Sequence, residues 1–396
     1  MIIGADVVQH ALGQLAGGYL NPVCFSFGWV AYSFNTIGVA VGDNRLLPLS
    51  DSPSIVINGK TGFVRENRSW VLGRLVRDFE YWMPKEVDKE VNAVLEEVHK
   101  KDTEDARKSS DYNQEPVPKC LCAGLCISVF RTSESMRPGI PIYDWVFYSG
   151  IVVSIIQLGV SVIPFILYSD FSTFMITGAG LILAMIHGAL PQWKAEKWHC
   201  RRQKKTAILT TRNGAQHAIA IIGSDKHAFD LEDLASADVT GFMSTRIGST
   251  ILTILWFGLL VTVAGMKQNP WFLMAVGGIG MIQNIIVASA SRRPGAHGIH
   301  LEYERCVARP KVMKALMDLE ELYPHMGASL LDTFFPGKLF PKEKEYWDKA
   351  EKIAEAKDKA EKDFNKLIDG KTLVSGAMPS PASQGNPILV YSGSPV

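Results

Sequence analysis

The residues most capable of reactive or metal-binding chemistry are six cysteines, three of which form a cluster. They are Cys24, Cys120, Cys122, Cys126, Cys200 and Cys306. The clustered three have the spacing C-x-C-x3-C, which lacks the second ligand pair of a zinc site. Cys120, Cys122, Cys126 and Cys200 are candidates for reversible palmitoylation near a membrane. Reduced, unmodified thiols are the simplest interpretation for a cytoplasmic loop. No metal and no cofactor is predicted.

A second cluster combines two histidines with three carboxylates, groups that can bind metal or transfer protons. Its members are His217, His227, Asp230, Glu232 and Asp233. Their spacing matches no catalytic motif, and Asp230 is better explained as the N-cap of a helix. The sequence contains no phosphate-binding loop, zinc-protease, serine-hydrolase or protein-kinase motif. We therefore predict no catalytic residue and favour a protein that is not an enzyme.

The distribution of charge indicates which elements position these groups. Acidic and basic residues nearly cancel, 40 against 41, so no nucleic-acid partner is expected. Five stretches lack charged residues: 7–42, 145–169, 171–193, 247–266 and 268–291. A helix needs about 20 apolar residues to cross a bilayer, whereas buried helices of soluble proteins have runs of about 10–14. We therefore predict five membrane spans, and the lipid bilayer as a partner, at 22–41, 145–168, 171–193, 247–266 and 271–290.

Polar side chains inside the predicted spans are candidates for an ion path. We single out His187, Gln157 and Asn284, with Gln283 beside the last. Intramembrane polar groups can mark a transport pathway, but none of these is a carboxylate, lysine or arginine. Hydrogen bonding between helices explains amides equally well. Small residues at helix-packing spacing, such as Gly277, Gly278 and Gly280, indicate a closely packed bundle.

Basic residues predict which side of the membrane each connection faces. Of the 41 Lys and Arg residues, only Lys267 is predicted to lie on the other side of the membrane from the long connections. With five spans, the positive-inside rule places residues 1–21 outside and the C-terminus in the cytoplasm. The only N-glycosylation sequon, at Asn67, would report the side of the first long connection. A basic and aromatic cluster after the third span is predicted to anchor the chain at the lipid headgroups, through Trp193, Lys194, Lys197, Trp198, Arg201 and Arg202.

Two predicted cytoplasmic connections, 42–144 and 194–246, share the pattern of a β-hairpin followed by a helix. Their Asn-Gly turns are Asn58-Gly59 and Asn213-Gly214. Asn-Gly between β-branched residues is a strong hairpin signal, and a lone hairpin is marginally stable in water. We therefore predict that the two hairpins form one small α+β domain. The predicted flanking elements are helices at 69–83 and near 231–235, a solvated helix and linker at 85–118, and a strand at 121–131.

The C-terminal region, 291–369, is predicted to be helical and cytoplasmic. It contains an amphipathic pattern at 310–322 and a long charged helix at 341–368, with Glu and Lys four residues apart. The tail, 370–396, is rich in Pro, Ser and Gly and is predicted to be disordered. The predicted fold class is a membrane α-helical bundle of about five transmembrane helices, with a small cytoplasmic α+β domain built from two loops, and a long charged C-terminal helix.

Several short motifs resemble uncharacterised multipass integral membrane proteins of filamentous fungi. They are Phe25-Ser-Phe-Gly-Trp29-Val-Ala-Tyr, Ile57-Asn-Gly-Lys, Leu75-Val-Arg-Asp-Phe-Glu80, Leu190-Pro-Gln-Trp193 with Lys197-Trp198, and Gln216-His-Ala-Ile. The resemblance covers about residues 5–290. It implies a multipass protein of the plasma membrane or endomembranes, and it transfers no catalytic or binding residue.

The expected function is a non-enzymatic scaffold or signalling component. Its cytoplasmic domain would be presented to a soluble protein partner, because most of the chain outside the spans lies on one side. The alternative is a transporter or channel, which would act as a homo-oligomer because five helices form a poor pore alone. A membrane-embedded enzyme is the third hypothesis.

Overall fold

The computed structural model describes residues 4–18, 20–41, 45–108, 118, 124–212, 214–237, 239, 241–335 and 337–375. The chain divides into two units, Met1–Leu339 and Phe340–Val396. The helices of the first unit are α1 (Ala5–Leu15), α2 (Gly28–Val41), α3 (Trp70–Arg77), α4 (Phe79–Trp82), α5 (Lys85–Lys108), α6 (Trp145–Tyr168), α7 (Ser172–Gly188), α8 (Pro191–Lys197), α9 (Leu231–Ser236), α10 (Met243–Ala264), α11 (Pro270–Ser289), α12 (Val312–Leu322), α13 (Met326–Ser329) and α14 (Leu331–Phe334). Its strands are β1 (Ile55–Asn58), β2 (Val64–Glu66), β3 (Leu125–Thr132), β4 (Thr206–Thr210), β5 (His217–Ile222) and β6 (Leu301–Arg309).

The described part of the second unit is one long helix, α15 (Pro341–Ser375). The predicted charged helix is therefore present, and an ion pair four residues apart, Lys349 to Glu345 at 2.7 Å, lies on its surface. Residues 370–375, which were predicted to belong to a disordered tail, continue the helix. The rest of that predicted tail, 376–396, lies outside the described residues.

Apolar helices form one layer of the first unit. Among the described residues, three helices are long and apolar enough to cross a membrane, namely α6, α10 and α11. Helices α7 and α8 meet at a bend of 43° and count as a fourth if the pair is one span. Pro191 explains the bend, because a proline disfavours helical backbone in the residue before it. Large side chains such as Ile166 and Ile254 are exposed on the outer faces, as expected of helices surrounded by lipid.

The predicted count of five spans is not confirmed, because residues 22–41 do not form a membrane-length helix. Only α2 is helical there, and its 14 residues fall short of the about 20 that a crossing needs. Both ends of residues 14–47 meet the same end of the bundle: the Gln14 side chain donates to the Ala290 carbonyl, and the Leu46 amide donates to Glu196. The segment enters the bundle and returns.

The deepest part of this re-entrant segment packs against glycines of α11. A β-carbon added at Gly280 would lie 1.7 Å from the Phe25 carbonyl oxygen, and one at Gly277 would lie 2.3 Å from the Phe27 ring. Gly277 is twelve residues from the end of α11, which corresponds to about 18 Å of helix. The predicted close packing is confirmed at these two positions, and its partner is an extended segment of chain.

A six-stranded sheet forms the second layer, in the order β2-β1-β4-β5-β3-β6. The predicted association of the two hairpins is confirmed, because β1 pairs with β4 and places Ile55 opposite Thr210. Strands β3 and β5 are parallel and occupy the centre with β4. Residue 213 of the second predicted turn lies outside the described residues. In the first turn, the Asn58 side chain accepts hydrogen bonds from the Lys60 and Thr61 amides.

Three predicted elements differ in the structure. The helix predicted at 69–83 is two helices, α3 and α4, which meet at Asp78. The region 291–369, predicted to be helical, contains the strand β6. The first four residues of β6, Leu-Glu-Tyr-Glu, alternate apolar and charged side chains as a half-buried strand does, but Arg305 ends the pattern at the shortest length that indicates a strand. The predicted strand at 121–131 begins at Leu125, and residues 121–123 lie outside the described residues.

We predict that Gly280→Ala destabilises the protein, because its methyl group would overlap the Phe25 carbonyl. Overpacking of this kind costs about 1–3 kcal/mol. The matched control is Gly278→Ala, where nothing lies within 4 Å of the added carbon. Thermal unfolding of the detergent-solubilised protein measures both changes. Equal melting temperatures for the two variants would contradict the packing of residues 22–27 against α11.

Candidate functional site

The predicted intramembrane amides hold the re-entrant segment in place. The Gln157 amide donates to the carbonyls of Phe25 at 2.7 Å and Val276 at 2.8 Å. The Asn284 amide donates to the Cys24 carbonyl and the Ser26 hydroxyl, both at 3.1 Å. These amides therefore satisfy carbonyl groups of non-helical backbone, which is needed wherever water is excluded. Only the hydrogen bond from Gln157 to Val276 joins two helices, and the other three join a helix to the re-entrant segment.

The third predicted intramembrane residue, His187, lies in an aromatic environment. Its side chain is fully buried, with the ring centroids of Tyr32 and Trp29 at 5.1 Å and 5.8 Å. Neither ring nitrogen has a hydrogen-bond partner among the described residues. The Trp29 ring also stacks on Trp256 at 5.2 Å. This part of the bundle is thus filled by large rings.

The predicted membrane-interface anchor is divided between buried and exposed side chains. Trp193 is fully buried and its indole donates to the His187 carbonyl at 3.1 Å. Lys197 is also buried, and its ammonium group donates to the Ala16 carbonyl. These two side chains face the protein interior and therefore do not contact lipid headgroups. Trp198 is half-buried, and the exposed members of the predicted anchor are Lys194, Arg201 and Arg202.

A buried ionic network joins the end of the bundle to the sheet layer. The Arg292 guanidinium forms two hydrogen bonds with Asp144, at 2.7 and 2.8 Å, and a third with the Gln14 carbonyl at 2.6 Å. The Arg292 amide donates to Asp78 at 3.1 Å. Arg292 is only 3% exposed. Through its side chain and its backbone amide, Arg292 thus connects the chain after α11 with the N-cap of α6, the end of α1 and the junction of α3 with α4.

A second buried arginine, Arg74 on α3, reinforces this junction. It donates to the Ala288 carbonyl at 3.0 Å, lies 3.0 Å from the Asp51 carboxylate and stacks 4.8 Å above the Trp70 ring. Burial lowers the pKa of Arg74 to about 10, against the opposing effect of Asp51. The guanidinium therefore stays charged at neutral pH.

A small cavity lies inside the junction, with a volume of about 20 Å³. Its lining includes Gln14, Lys197, Arg292 and His297. Burial, with the positive charges of Arg292 and Lys197, holds the pKa of His297 well below its ordinary value. The cavity has room for about one water molecule, so the junction is a packed structural site and holds no substrate-sized pocket.

In the cluster predicted around His217 and Asp233, the three acidic residues form the start of α9, whereas His217 lies on β5. Asp230 accepts hydrogen bonds from the Glu232 and Asp233 amides, so the predicted N-cap is confirmed. Asp230 also pairs with Lys205 at 2.6 Å, and Asp233 with Arg201 at 2.5 Å. Within the described ranges, no group of three His, Cys, Asp or Glu side chains is placed to hold a metal ion.

The cysteines predicted as palmitoylation sites have different environments. Cys126 lies on β3 and is buried, which is incompatible with acylation of the folded protein. Cys200 is half-buried, and burial with the neighbouring Asp233 raises the pKa of its thiol to about 11. Cys120 and Cys122 lie outside the described residues. Cys126 contacts Cys306 on β6, with 3.1 Å between the sulfur atoms. The spacing of the cysteines in the sequence does not predict this contact.

An open groove runs along β6 in the sheet layer, with a volume of about 610 Å³. Strand β6 pairs with β3 on one side and is an edge of the sheet. Helix α5 supplies Glu86 and Glu90 to the groove, and α12 supplies Asp318 and Glu321. Glu304 of β6 brings the carboxylates to five, against two arginines on β6. Arg309 is paired with Asp318 at 2.6 Å, so the groove is predominantly acidic.

No family model, curated protein or solved structure matches this chain. The resemblance to fungal membrane proteins therefore stays a prediction.

We predict that Arg292→Gln destabilises the protein far more than Arg131→Gln. Both arginines form bidentate pairs, but Arg131 and its partner Glu304 are 46% and 30% exposed. Removing one partner of a buried pair costs about 3–5 kcal/mol, whereas an exposed pair contributes about 0–1 kcal/mol. Unfolding of the solubilised protein measures the difference, and similar losses for both variants would show that the junction is not a stabilising network.

Proposed function

We propose that this protein is an integral membrane scaffold that presents its sheet layer in the cytoplasm to a soluble protein partner. The observation that carries the proposal is the acidic groove along the free edge of β6. An exposed strand edge offers unpaired backbone groups to which an extended peptide can add as a further strand. The carboxylates of the groove favour a peptide with basic side chains.

The junction supports this function because it fixes the sheet layer to the bundle. Arg292 and Arg74 contact the bundle end, the re-entrant segment and α3 through buried, charge-assisted hydrogen bonds, which are stronger than neutral ones. A partner bound along β6 would therefore be held at a defined height above the apolar helices. A flexible tether would not achieve this.

The transporter alternative has less support. Gln157 and Asn284 are engaged with backbone groups of the re-entrant segment, and aromatic rings fill the space beside His187. The observation that favours transport is that His187 has no hydrogen-bond partner among the residues that the structure describes. We propose that it serves packing, since its neighbours are the rings of Trp29 and Tyr32.

The orientation of the protein needs a reporter other than its natural sequon. Asn67 is 9% exposed, and its amide nitrogen donates to the Ser54 hydroxyl at 3.0 Å and the Ser69 carbonyl at 3.1 Å. A glycan on this nitrogen would disrupt both hydrogen bonds. An unmodified Asn67 therefore carries no information about which side of the membrane it faces.

We predict that a cysteine introduced at Glu134, beside the sheet, reacts with a membrane-impermeant maleimide in sealed vesicles whose cytoplasmic face is outward. A cysteine at Gln268, in the loop before α11, should react only after permeabilisation. Both positions are exposed, so a difference in labelling would come from the membrane and not from burial of either side chain. Labelling of position 268 without permeabilisation, together with protection of position 134, would overturn the proposed orientation.

We predict that the purified protein binds a fluorescent peptide of alternating Lys and Val residues, and that the double variant Glu86→Lys and Glu90→Lys weakens binding at least tenfold. The matched control is Glu96→Lys with Glu97→Lys, two exposed positions of α5 that do not line the groove. Fluorescence anisotropy at low and high salt measures both. Equal affinities for the two double variants, or no binding to the wild type, would contradict a docking site along β6.

A further inference from the structure

Two cysteines from distant parts of the chain meet on neighbouring strands of the sheet. The Cys126 and Cys306 sulfur atoms are 3.1 Å apart, although the residues are separated by 180 positions. In the register of β3 with β6, Cys306 lies opposite Ser128, and Cys126 lies opposite Ala308. The two cysteines are therefore diagonal neighbours on one face of the sheet. Their sulfur atoms are already close to the about 2.05 Å of a disulfide bond.

A histidine lies beside this pair on the other side of β3. His217 of β5 is the register partner of Cys126 in the parallel pairing, and its ring packs 5.1 Å from Phe79. Hydrogen bonds from the Cys306 thiol and from His217 lower the pKa of Cys126, and the hydrogen bond shared with Cys126 raises the pKa of Cys306. The two thiols are thus in contact with each other, next to an imidazole ring.

The two sulfurs differ in their access to solvent. Cys126 is 2% exposed, whereas Cys306 is half-buried and lines the groove along β6. A small reactant in the groove therefore reaches Cys306, and Cys126 lies directly behind it. This is the arrangement of an attacking and a resolving cysteine.

We propose that Cys126 and Cys306 are a redox-active dithiol that undergoes thiol–disulfide exchange with a low-molecular-weight disulfide such as oxidised glutathione. Cys306 gives its proton to the neighbouring Cys126–His217 pair, and its sulfur attacks one sulfur of the reactant. The reactant's S–S bond breaks, one thiolate leaves, and a mixed disulfide forms on Cys306. Cys126 then attacks Cys306, which forms the internal disulfide and releases the second thiolate. The proton taken from Cys306 and the proton of Cys126 pass to the two departing thiolates. Two electrons pass from the dithiol to the reactant, which is thereby reduced to two thiols.

A shared metal ion explains the pair less well. Two thiolates on one tetrahedral zinc, each at about 2.3 Å from the metal, are separated by about 3.8 Å. The observed sulfur separation is shorter, and a metal-binding group of three is absent from the described part of the chain. The proposal does not depend on partner binding in the groove, so it stands or fails separately from the scaffold function.

The experiment uses the full-length protein in lipid nanodiscs, equilibrated with mixtures of reduced and oxidised glutathione, acid-quenched and mapped by mass spectrometry. The expected product is a peptide cross-linked between Cys126 and Cys306, which reverts on addition of reduced glutathione. Cys126→Ser should stop the reaction at a mixed disulfide on Cys306. Cys306→Ser should leave Cys126 unmodified, because Cys126 is buried.

Two further variants test the role of the histidine as a positioning residue. His217→Gln should slow formation of the internal disulfide about three- to tenfold, since thiol reactivity follows the thiolate fraction and nucleophilicity together. His227→Gln, which lies outside the pair, should leave the rate unchanged. Equal rates in both variants would remove His217 from the proposal.

The wild-type map alone decides the main point, even if a cysteine variant fails to fold. Free thiols at both Cys126 and Cys306 after Cys200 has become glutathionylated would overturn the proposal. A disulfide that joins Cys306 to Cys120 or Cys122 instead of Cys126 would also overturn it.

Discussion

Non-helical backbone among apolar helices must find all its hydrogen bonds inside the protein, and residues 21–27 impose this constraint on the rest of the structure. Gln157 and Asn284 donate to the carbonyls of Phe25 and Cys24, and Gly280 leaves room for the Phe25 carbonyl to approach. The amides on α6 and α11 and the glycines on α11 thus serve one segment. If that segment left the bundle, two amides and a glycine-lined groove would face lipid, so the four apolar elements and the N-terminal segment form a single cooperative core.

The junction extends this core out of the apolar layer. Arg292 is held by Asp144, by the Gln14 carbonyl and, through its amide, by Asp78. Charges buried to this degree stabilise a structure only when each one has partners, because the desolvation penalty is several kcal/mol per ion. The network therefore defines one relative position of bundle and sheet instead of a range of positions, which is the property that a presenting scaffold needs.

Local patterns in the sequence predict the local elements well. Charge-free stretches indicate α6, α7, α10 and α11, because bilayer thickness sets their length, and Asn58-Gly59 indicates the first hairpin. The sheet edge β6 escapes prediction because its alternation of apolar and charged residues covers only 301–304, the shortest length that indicates a strand. The re-entrant segment, the junction and the Cys126–Cys306 pair depend on contacts between residues 132, 278 and 180 positions apart. No periodicity or spacing within one segment shows which distant segments will contact it. For the same reason, the sequence around Trp193 and Lys197 resembles an interfacial anchor, although both side chains are buried.

The strand order also dictates how the chain has to assemble during synthesis. The sheet draws β1, β2 and β3 from one connection, β4 and β5 from a second, and β6 from the region after α11, with α6 and α7 between β3 and β4 and with α10 and α11 between β5 and β6. Strand β3 is synthesised before both of its partners, β5 and β6. Strand β6 is synthesised only after α11. Completion of the sheet therefore requires that the strands on either side of each pair of apolar helices reach the same side of the bundle, and a chain with one helix misplaced would leave strand edges unpaired.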